Sequence, residues 1–296
     1  MDIITFLSEN QTTYLFSVAV VGLLVGSFLN VVIYRLPIVL KKQWRQDCLL
    51  FLAEDSDKQT SVENINEPTF GLITPRSHCP QCGHQISAWE NIPIFSYLLL
   101  RGKCRACAAP VSLRYPVVEL LGATLAVAVA WKFGFTLQAA MAIVLSWALI
   151  SMSFIDYDHQ YLPDNITLPL LWLGLIANLN GLFTDIESAL IGTMAGYLIL
   201  WSIYKLFKAL TGKEGMGYGD FKLLAMFGAW LGWQQLPAII FLSSVAGAVI
   251  GISLILLKQH ERNKPIPFGP YLAIAGWIAL LWGDDINQAY LNWVGL

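Results

Sequence analysis

Residues 155–164 read IDYDHQYLPD and directly follow an apolar run long enough to cross a membrane. Three acidic residues at the end of such a run are costly at the edge of a bilayer unless they have a function. A second acidic site, GMGYGD at residues 215–220, directly precedes another apolar segment. Asp156 and Asp220 are therefore the carboxylates that we expect two membrane helices to bring face to face.

Composition defines the class of protein. The chain has 296 residues, of which 56% are hydrophobic and 13% are charged, whereas soluble domains carry about 25% charged residues. The sequence thus predicts an all-α polytopic membrane protein with the lipid bilayer as its partner. A net charge of −2 gives no basic surface for nucleic acid, so we expect no nucleic-acid partner.

Apolar segments predict about eight transmembrane helices. Each has roughly the length that a spanning helix needs, about 17–25 residues, although the sixth and eighth are short. No Lys or Arg precedes the first segment, which we interpret as a retained span and not a cleaved signal. The predicted spans are 13–34, 115–135, 137–155, 166–182, 188–207, 221–236, 237–257 and 268–283.

Basic residues predict the orientation. Of the 18 lysines and arginines, Lys132 alone falls outside one set of connections, and positive residues favour the cytoplasm. Both termini are then periplasmic, while the large loop and both acidic motifs are cytoplasmic. We divide the chain into a first span (1–35), a cytoplasmic loop with a metal site (36–114) and a seven-helix membrane core with the acidic site (115–296).

The long polar loop holds two cysteine pairs. Its first part, residues 46–68, is acidic and predicted to be a surface loop. Cys79 with Cys82, and Cys104 with Cys107, form two C-x2-C motifs separated by 21 residues. Four thiolates complete a tetrahedral structural zinc site, so one zinc per chain would fold this small cytoplasmic domain.

Alternatives to this metal site remain open at this point. Two disulfides are one, although they conflict with a reducing cytoplasm. His78 and His84 are possible substitute ligands, and Cys48 is left over as a free thiol.

The acidic residues have competing interpretations. Two nearby carboxylates can cleave an amide without a metal, one ionised to take a proton from water and one protonated to donate to the carbonyl oxygen. Asp156 and Asp220 are the candidates for this pair. Asp164 after Pro163 is interpreted first as a helix N-cap, Asp220 is also interpreted as an N-cap of its own span alongside its chemical role, and Asp158 fits a solvated acid as well as a supporting role.

The combination of motifs resembles the type IV prepilin peptidases, the leader peptidases and N-methyltransferases of bacterial inner membranes. The resemblance is spread over GSFLNVVIYRLP at 26–37, both cysteine motifs, YPVVELLGA at 115–123, IDYDHQYLPD and GMGYGDFKLLA at 215–225. It implies an aspartic peptidase of the GxGD kind, with Asp156 and Asp220 catalytic. It also implies that the four cysteines ligate a metal.

The resemblance further implies the substrates and a second reaction. Prepilins of type IV pili and pseudopilins of type II secretion would lose a short basic leader after a glycine. The new amino terminus would then be methylated by S-adenosylmethionine. No glycine-rich nucleotide-binding unit is visible, and the donor-binding residues stay unknown. Gly26, Asn30, Arg35 and Glu119 are suggestive, with Arg114 or Arg35 as a cationic partner for Glu119.

Two other classes of protein compete with this interpretation. A proton-coupled membrane transporter would also contain acids in its membrane segments, but near mid-span and with interrupted helices. A zinc-anchored membrane scaffold would leave the glycines of GMGYGD without a purpose. Loss of the leader from a prepilin incubated with the purified protein would separate the three.

Overall fold

The computed structural model describes residues 3–54, 70–257 and 266–295. Among these residues the regular structure is helical, apart from two isolated bridges, His78 with Gln85 and Lys103 with Pro110. The helices are α1 (Ile3–Glu9), α2 (Gln11–Glu54), α3 (Phe95–Leu99), α4 (Arg114–Phe133), α5 (Leu137–His159), α6 (Asp164–Asn178), α7 (Ile186–Thr211), α8 (Tyr218–Leu231), α9 (Leu236–Leu256) and α10 (Gly269–Val294).

The prediction of an all-α polytopic membrane protein is confirmed. Each of the eight predicted spans overlaps a helix of its own, but the count of eight crossings is only approximate. Within the described residues, five helices are long and apolar enough to cross a membrane, namely α2, α4, α5, α7 and α9. Helices α6 and α8 have 15 and 14 residues, and α10 is interrupted by non-helical backbone at Trp282.

Helix α2 continues well beyond its predicted end. It runs for 44 residues to Glu54 and contains Pro37, so the beginning of the predicted surface loop is helical. Residues 38–53 are rich in Leu, Lys, Gln and Arg, which favour helix, and this preference outweighs the one backbone hydrogen bond that a proline removes. The remainder of the predicted acidic loop, residues 55–68, lies outside the described residues.

The chain divides into two compact units. The first, which we name the acidic unit, comprises Met1–Tyr14 and Ala128–Leu296, and the second, the cysteine unit, comprises Leu15–Val127. Asp156 and Asp220 belong to the acidic unit. The four paired cysteines and Glu119 belong to the cysteine unit.

Helix α8 is the core of the acidic unit. Its residues from Asp220 to Trp230 are buried with the exception of Lys222, and it packs against α7, α6 and α10. Small residues allow this close packing, because a Cβ at Gly192 or Gly196 of α7 would lie 2.6–2.7 Å from backbone carbonyls of α8. The Asn178 side chain donates to the carbonyls of Ala229 and Trp230 and thereby satisfies the end of α8.

The cysteine unit is built on a close crossing of α2 and α4. A Cβ at Gly26 would lie 2.6 Å from the Cα of Glu119, and one at Gly22 would lie 2.7 Å from the Cα of Ala123. Glycines of this kind let membrane helices approach backbone to backbone. The Asn30 side chain adds a hydrogen bond of 3.1 Å to the carbonyl of Tyr115.

Candidate active site

Asp156 lies in the last turn of α5. The residue is 5% exposed, and its Oδ2 accepts a hydrogen bond of 3.0 Å from the backbone N–H of Gly269, the first residue of α10. Helix α5 ends three residues later, where Gln160 takes a left-handed conformation with φ of 57°. The carboxylate is therefore held by the N-terminus of a different helix, where a negative charge is favoured.

Asp220 lies in the first turn of α8. It is 6% exposed, and its Oδ2 accepts a hydrogen bond of 3.2 Å from the backbone N–H of Gly217. This contact is the side-chain half of an N-terminal capping arrangement. The prediction that Asp220 is the N-cap of its span is wrong, because Gly217 occupies that position and Asp220 caps the helix from its third residue; this contact is compatible with a second, chemical role for the same carboxylate.

The structure brings the two acidic motifs together. The Asp156 carboxylate interacts electrostatically with that of Asp220. The Leu162 side chain packs against Gly219, which precedes Asp220, and against Gly269, which binds Asp156. Cβ atoms on these two glycines would lie 2.9 and 3.3 Å from it. The absence of side chains at these glycines is what lets the two motifs and the start of α10 approach one another.

The glycine-rich loop before Asp220 is fixed to the end of α7. The Lys208 Nζ lies 2.7 Å from a carboxylate oxygen of Glu214, which also accepts a hydrogen bond from the Tyr204 hydroxyl. A Cβ at Gly215 would lie 2.8 Å from the Phe207 ring. The loop therefore reaches Asp220 along a defined path.

Asp158 and Asp164 have different surroundings. Asp158 is exposed near the end of α5. The interpretation of Asp164 as an N-cap is wrong, because Pro163 occupies that position and Asp164 is the first helical residue. Its carboxylate instead binds the ammonium of Lys222, with N–O distances of 2.7 and 2.8 Å. This ion pair links the two acidic motifs a second time.

We expect loss of the Asp164–Lys222 pair to slow peptide cleavage about tenfold, while leaving stability almost unchanged. Partly exposed ion pairs contribute about 0–1 kcal/mol to stability, but small misplacements of reacting groups reduce rates strongly. Asp164→Asn and Lys222→Gln should each lower kcat more than they change KM. Cleavage rates and melting temperatures would measure both effects, with Asp158→Asn as the matched control.

The reversed pair provides the decisive comparison. Asp164→Lys combined with Lys222→Asp restores opposite charges at the same two positions, so it should recover cleavage that Asp164→Lys alone loses. A double variant no more active than its singles would contradict the linking role.

The four predicted cysteines form a single cluster in the cysteine unit. Their Sγ atoms all lie within 4.8 Å of one another, and Cys79–Cys107 and Cys82–Cys104 are 3.9 and 4.0 Å apart. A tetrahedral zinc with Zn–S bonds of about 2.3 Å separates its sulfurs by about 3.8 Å. A disulfide would need about 2.05 Å, and all four thiols are free. The cluster could therefore hold a metal ion.

Backbone hydrogen bonds favour the thiolate form of two of these cysteines. The amides of Cys82 and Gln81 lower the pKa of Cys79 to about 7, and those of Cys107 and Ala106 lower the pKa of Cys104. Each C-x2-C turn closes with a residue at positive φ, Gly83 in one and Ala108 in the other. The thiolate, the form that binds zinc, is thereby favoured at Cys79 and Cys104, whereas burial and hydrogen bonds with the neighbouring cysteines raise the pKa of Cys82 to about 12.

His84 has a supporting position beside this cluster. Its Nε2 lies 3.3 Å from the carboxylate of Glu90, which also accepts hydrogen bonds from the backbone and hydroxyl of Ser87. The Ser87 backbone contact, with its hydroxyl and His84, lowers the pKa of Glu90 to about 2. His84 is thus bound to a permanently charged partner.

Both units are similar to known protein families. Residues 20–133 match the bacterial peptidase A24 N-terminal domain, and residues 143–252 match the type IV leader peptidase family. A relative from Stutzerimonas stutzeri is 55% identical over all 296 residues of both chains. The chain belongs to the type IV leader peptidase family.

Other members of the type IV leader peptidase family show the same full-length similarity. The relative from Pseudomonas aeruginosa is 52% identical over 295 residues, covering 100% of this chain and 99% of its own. That from Aeromonas hydrophila is 57% identical over 271 residues, covering 92% and 91%. All three relatives bear the name prepilin leader peptidase/N-methyltransferase. No solved structure matches the chain.

Gly269 is the residue of this leader peptidase that the sequence predictions did not include. A Cβ at this position would lie 2.6 Å from the Asp156 Oδ2, so a hydrogen is all that fits between the backbone and the carboxylate. The usable signal was a glycine flanked by Phe268 and Pro270 at the start of the last apolar segment. That signal indicates a turn, but not its position beside Asp156.

The four residues considered for binding the methyl donor all contact other residues of the leader peptidase. Gly26 contacts α4, and Asn30 bonds to Tyr115. The Arg35 guanidinium donates to the carbonyls of Gly71 and Leu72. The Glu119 carboxylate accepts a hydrogen bond of 2.8 Å from the backbone N–H of Ile94, where an arginine partner had been expected. These contacts serve the architecture of the unit and do not assign a donor site.

Proposed function

We propose that this chain is a membrane aspartic endopeptidase that removes the leader of type IV prepilins and pseudopilins, and then methylates the new amino terminus. The observation that carries the peptidase activity is the pair of buried carboxylates, Asp156 and Asp220, each held by one backbone N–H at neighbouring helix ends. Membership of the leader peptidase family supports both activities.

The pair supplies acid and base without a metal. Two carboxylates close together share one proton, since each raises the proton affinity of the other. The ionised member takes a proton from water, which attacks the scissile carbonyl, while the protonated member donates to the carbonyl oxygen. The carboxyl group that took the proton from water then gives it to the amide nitrogen, while the other carboxylate takes back a proton from the hydroxyl of the tetrahedral intermediate, whose collapse releases the amine. The backbone contacts from Gly217 and Gly269 keep both carboxylates oriented throughout.

The test is direct. Purified protein in lipid nanodiscs is incubated with a prepilin that carries its short basic leader, and the products are followed by mass spectrometry. We expect loss of the leader after its terminal glycine, then a gain of one methyl group when S-adenosylmethionine is present. An intact substrate with correctly folded enzyme would refute the proposal, and proton uptake by liposomes without cleavage would favour the transporter.

S-adenosylmethionine is the methyl donor that the second activity requires. When bound it supplies the methyl group, and the pilin amine is the acceptor. The residues that the sequence suggested for its site are occupied by contacts within the cysteine unit, so no residue of this chain is assigned to it. Methyl transfer is independent of the acidic pair, because it needs no carboxylate dyad to break an amide.

The metal proposed for the cysteine cluster is one structural zinc, held by Cys79, Cys82, Cys104 and Cys107. Four protein ligands leave no open position for a substrate, so the ion stabilises the fold of the loop and takes no part in cleavage. We expect Cys79→Ser to lower zinc content, loop protection from protease and methylation more than peptide cleavage. Metal analysis that finds no zinc, with oxidised cysteines, would support disulfides instead.

The bacterial inner membrane is the proposed location, with both acidic motifs and the cysteine loop in the cytoplasm. The distribution of Lys and Arg supports this orientation. Cysteine-reactive labelling in intact cells should show position 290, near the C-terminus, accessible from the periplasm, and positions 60 and 213 protected. A periplasmic signal from a fusion near residue 60 would reverse the whole arrangement.

A further inference from the structure

The length of helix α4 indicates how deep its residues lie in the membrane. It has 20 residues, and at 1.5 Å per residue it is about 30 Å long, which equals the thickness of the hydrocarbon core. As a spanning helix, it is only just long enough to cross the hydrocarbon core. Arg114, its first residue, must therefore lie at the edge of the hydrocarbon, and Glu119 lies about 7.5 Å further along the axis.

The Glu119 carboxylate ties the loop to this depth. The residue is 8% exposed, and its Oε2 accepts the hydrogen bond of 2.8 Å from the Ile94 amide. Ile94 has φ of 60°, a conformation that β-branched residues avoid, so this anchoring contact holds an unfavourable backbone in place. Side chains of a helix lean towards its N-terminus, which sets Ile94 level with the first turn of α4.

Helix α3 begins at the next residue and exposes an apolar stripe. Phe95, Leu98 and Leu99 are 63%, 66% and 83% exposed, and positions i, i+3 and i+4 lie on one helical face. The opposite face is engaged, because the Tyr97 hydroxyl donates to the carbonyl of Val111. Three large apolar side chains thus project outwards at the level of the membrane edge.

Basic residues follow the stripe immediately. Arg101 and Lys103 are both exposed, while Glu90 is the one acid between residues 70 and 113. An apolar face bordered by basic side chains is typical of segments that lie in the interfacial layer of a bilayer. Basic side chains there attract anionic headgroups.

We infer that α3 rests in the interfacial layer of the membrane, with Phe95, Leu98 and Leu99 against acyl chains and with Arg101 and Lys103 against anionic lipid headgroups. The occupant of this surface is lipid and not a second protein, because the Glu119–Ile94 bond fixes the depth. Cys104 of the cysteine cluster directly follows Lys103 in the chain, so the proposed zinc site is held close to the bilayer surface. This inference does not depend on the proposed reaction.

Site-specific photocrosslinking tests the lipid contact. Leu98 and Leu99 are replaced one at a time by p-benzoylphenylalanine in the full-length protein in vesicles of mixed zwitterionic and anionic phospholipid. Tyr97, on the opposite face of α3, is the matched negative control. Leu120, 53% exposed in α4, is the positive control. We expect lipid adducts at 98, 99 and 120, and none at 97.

The remaining outcomes are equally defined. Adducts at 120 without any at 98 or 99, or adducts at 98 and 99 to protein, would overturn the inference. The unmodified protein with a photoreactive phospholipid gives a version free of folding effects, in which Phe95, Leu98 and Leu99 must be labelled. Anionic lipid should be enriched about twofold or more among the adducts, and Arg101→Gln with Lys103→Gln should abolish that enrichment. An unchanged ratio would refute the headgroup contact.

Discussion

Asparagine in place of Asp156 or Asp220 will reduce prepilin cleavage by roughly 10³-fold or more, since each general acid or base contributes about 10²–10⁴-fold. Asparagine keeps the size of the side chain, and its amide oxygen can still accept a hydrogen bond from the backbone N–H of Gly269 or Gly217. It cannot take or release a proton in this range of pH. Cleavage kinetics of the folded variants measure the effect directly.

The pH profile of the unmodified enzyme adds an independent measurement. One carboxylate must be ionised and the other protonated, so cleavage falls when both are protonated at low pH and when both are ionised at high pH. The profile is therefore bell-shaped, and its two apparent pKa values belong to the pair as a whole. A single sigmoid would contradict a shared proton.

Two controls separate catalysis from folding. Asp158→Asn changes an exposed acid two residues from Asp156 and should retain most of the cleavage. Methylation of an already cleaved pilin should continue in both asparagine variants, because that reaction does not use the pair. Near-normal cleavage by either folded variant would remove that residue from the catalytic assignment.

Alanine in place of Gly269 will have the second-largest effect, a loss of cleavage of about 10²-fold. The added Cβ would lie 2.6 Å from the Asp156 Oδ2 and 3.3 Å from the Leu162 side chain. Either the carboxylate or the start of α10 must move, and in both cases the hydrogen bond that orients Asp156 is lost. The decrease should appear in kcat, with little change in KM.

Gly247→Ala is the matched control for this substitution. A Cβ there meets the Tyr271 ring at 3.5 Å, an ordinary contact, so activity and melting temperature should both be preserved. If Gly269→Ala lowers melting temperature and methylation in proportion to cleavage, the glycine serves folding alone. A selective loss of cleavage with an altered pH profile supports its positioning role.

Much of the helical architecture was predictable because membrane spans carry a strong local signal. Runs of apolar residues placed a helix at each of the eight predicted spans, and the restriction of all but one Lys and Arg to alternate connections agreed with this number. The end of α2 was not predictable in the same way, since residues 36–54 contain both charges and a proline. Apolar content marks where a helix can enter lipid, but not where it stops in water.

The candidate site was predictable to the level of residue types and motifs. Paired acids at helix ends and paired cysteines are local patterns that suggest their chemistry. The partners of Asp164 and Glu119 were not predictable, because they come from segments 58 and 25 residues away and depend on how helices pack. Gly269 shows the same limit, since a backbone amide carries no sequence signature of the carboxylate that it binds.

The burial of α8 also determines how the enzyme should fail under heat or denaturant. Its amides are enclosed by α6, α7 and α10, and such elements open only when a whole unit opens. Asp220, in the first turn of α8, is therefore held by a helix that we expect to open only together with the acidic unit. Inactivation of cleavage should accordingly be cooperative and coincide with global loss of structure, without an earlier phase in which a folded but inactive enzyme accumulates.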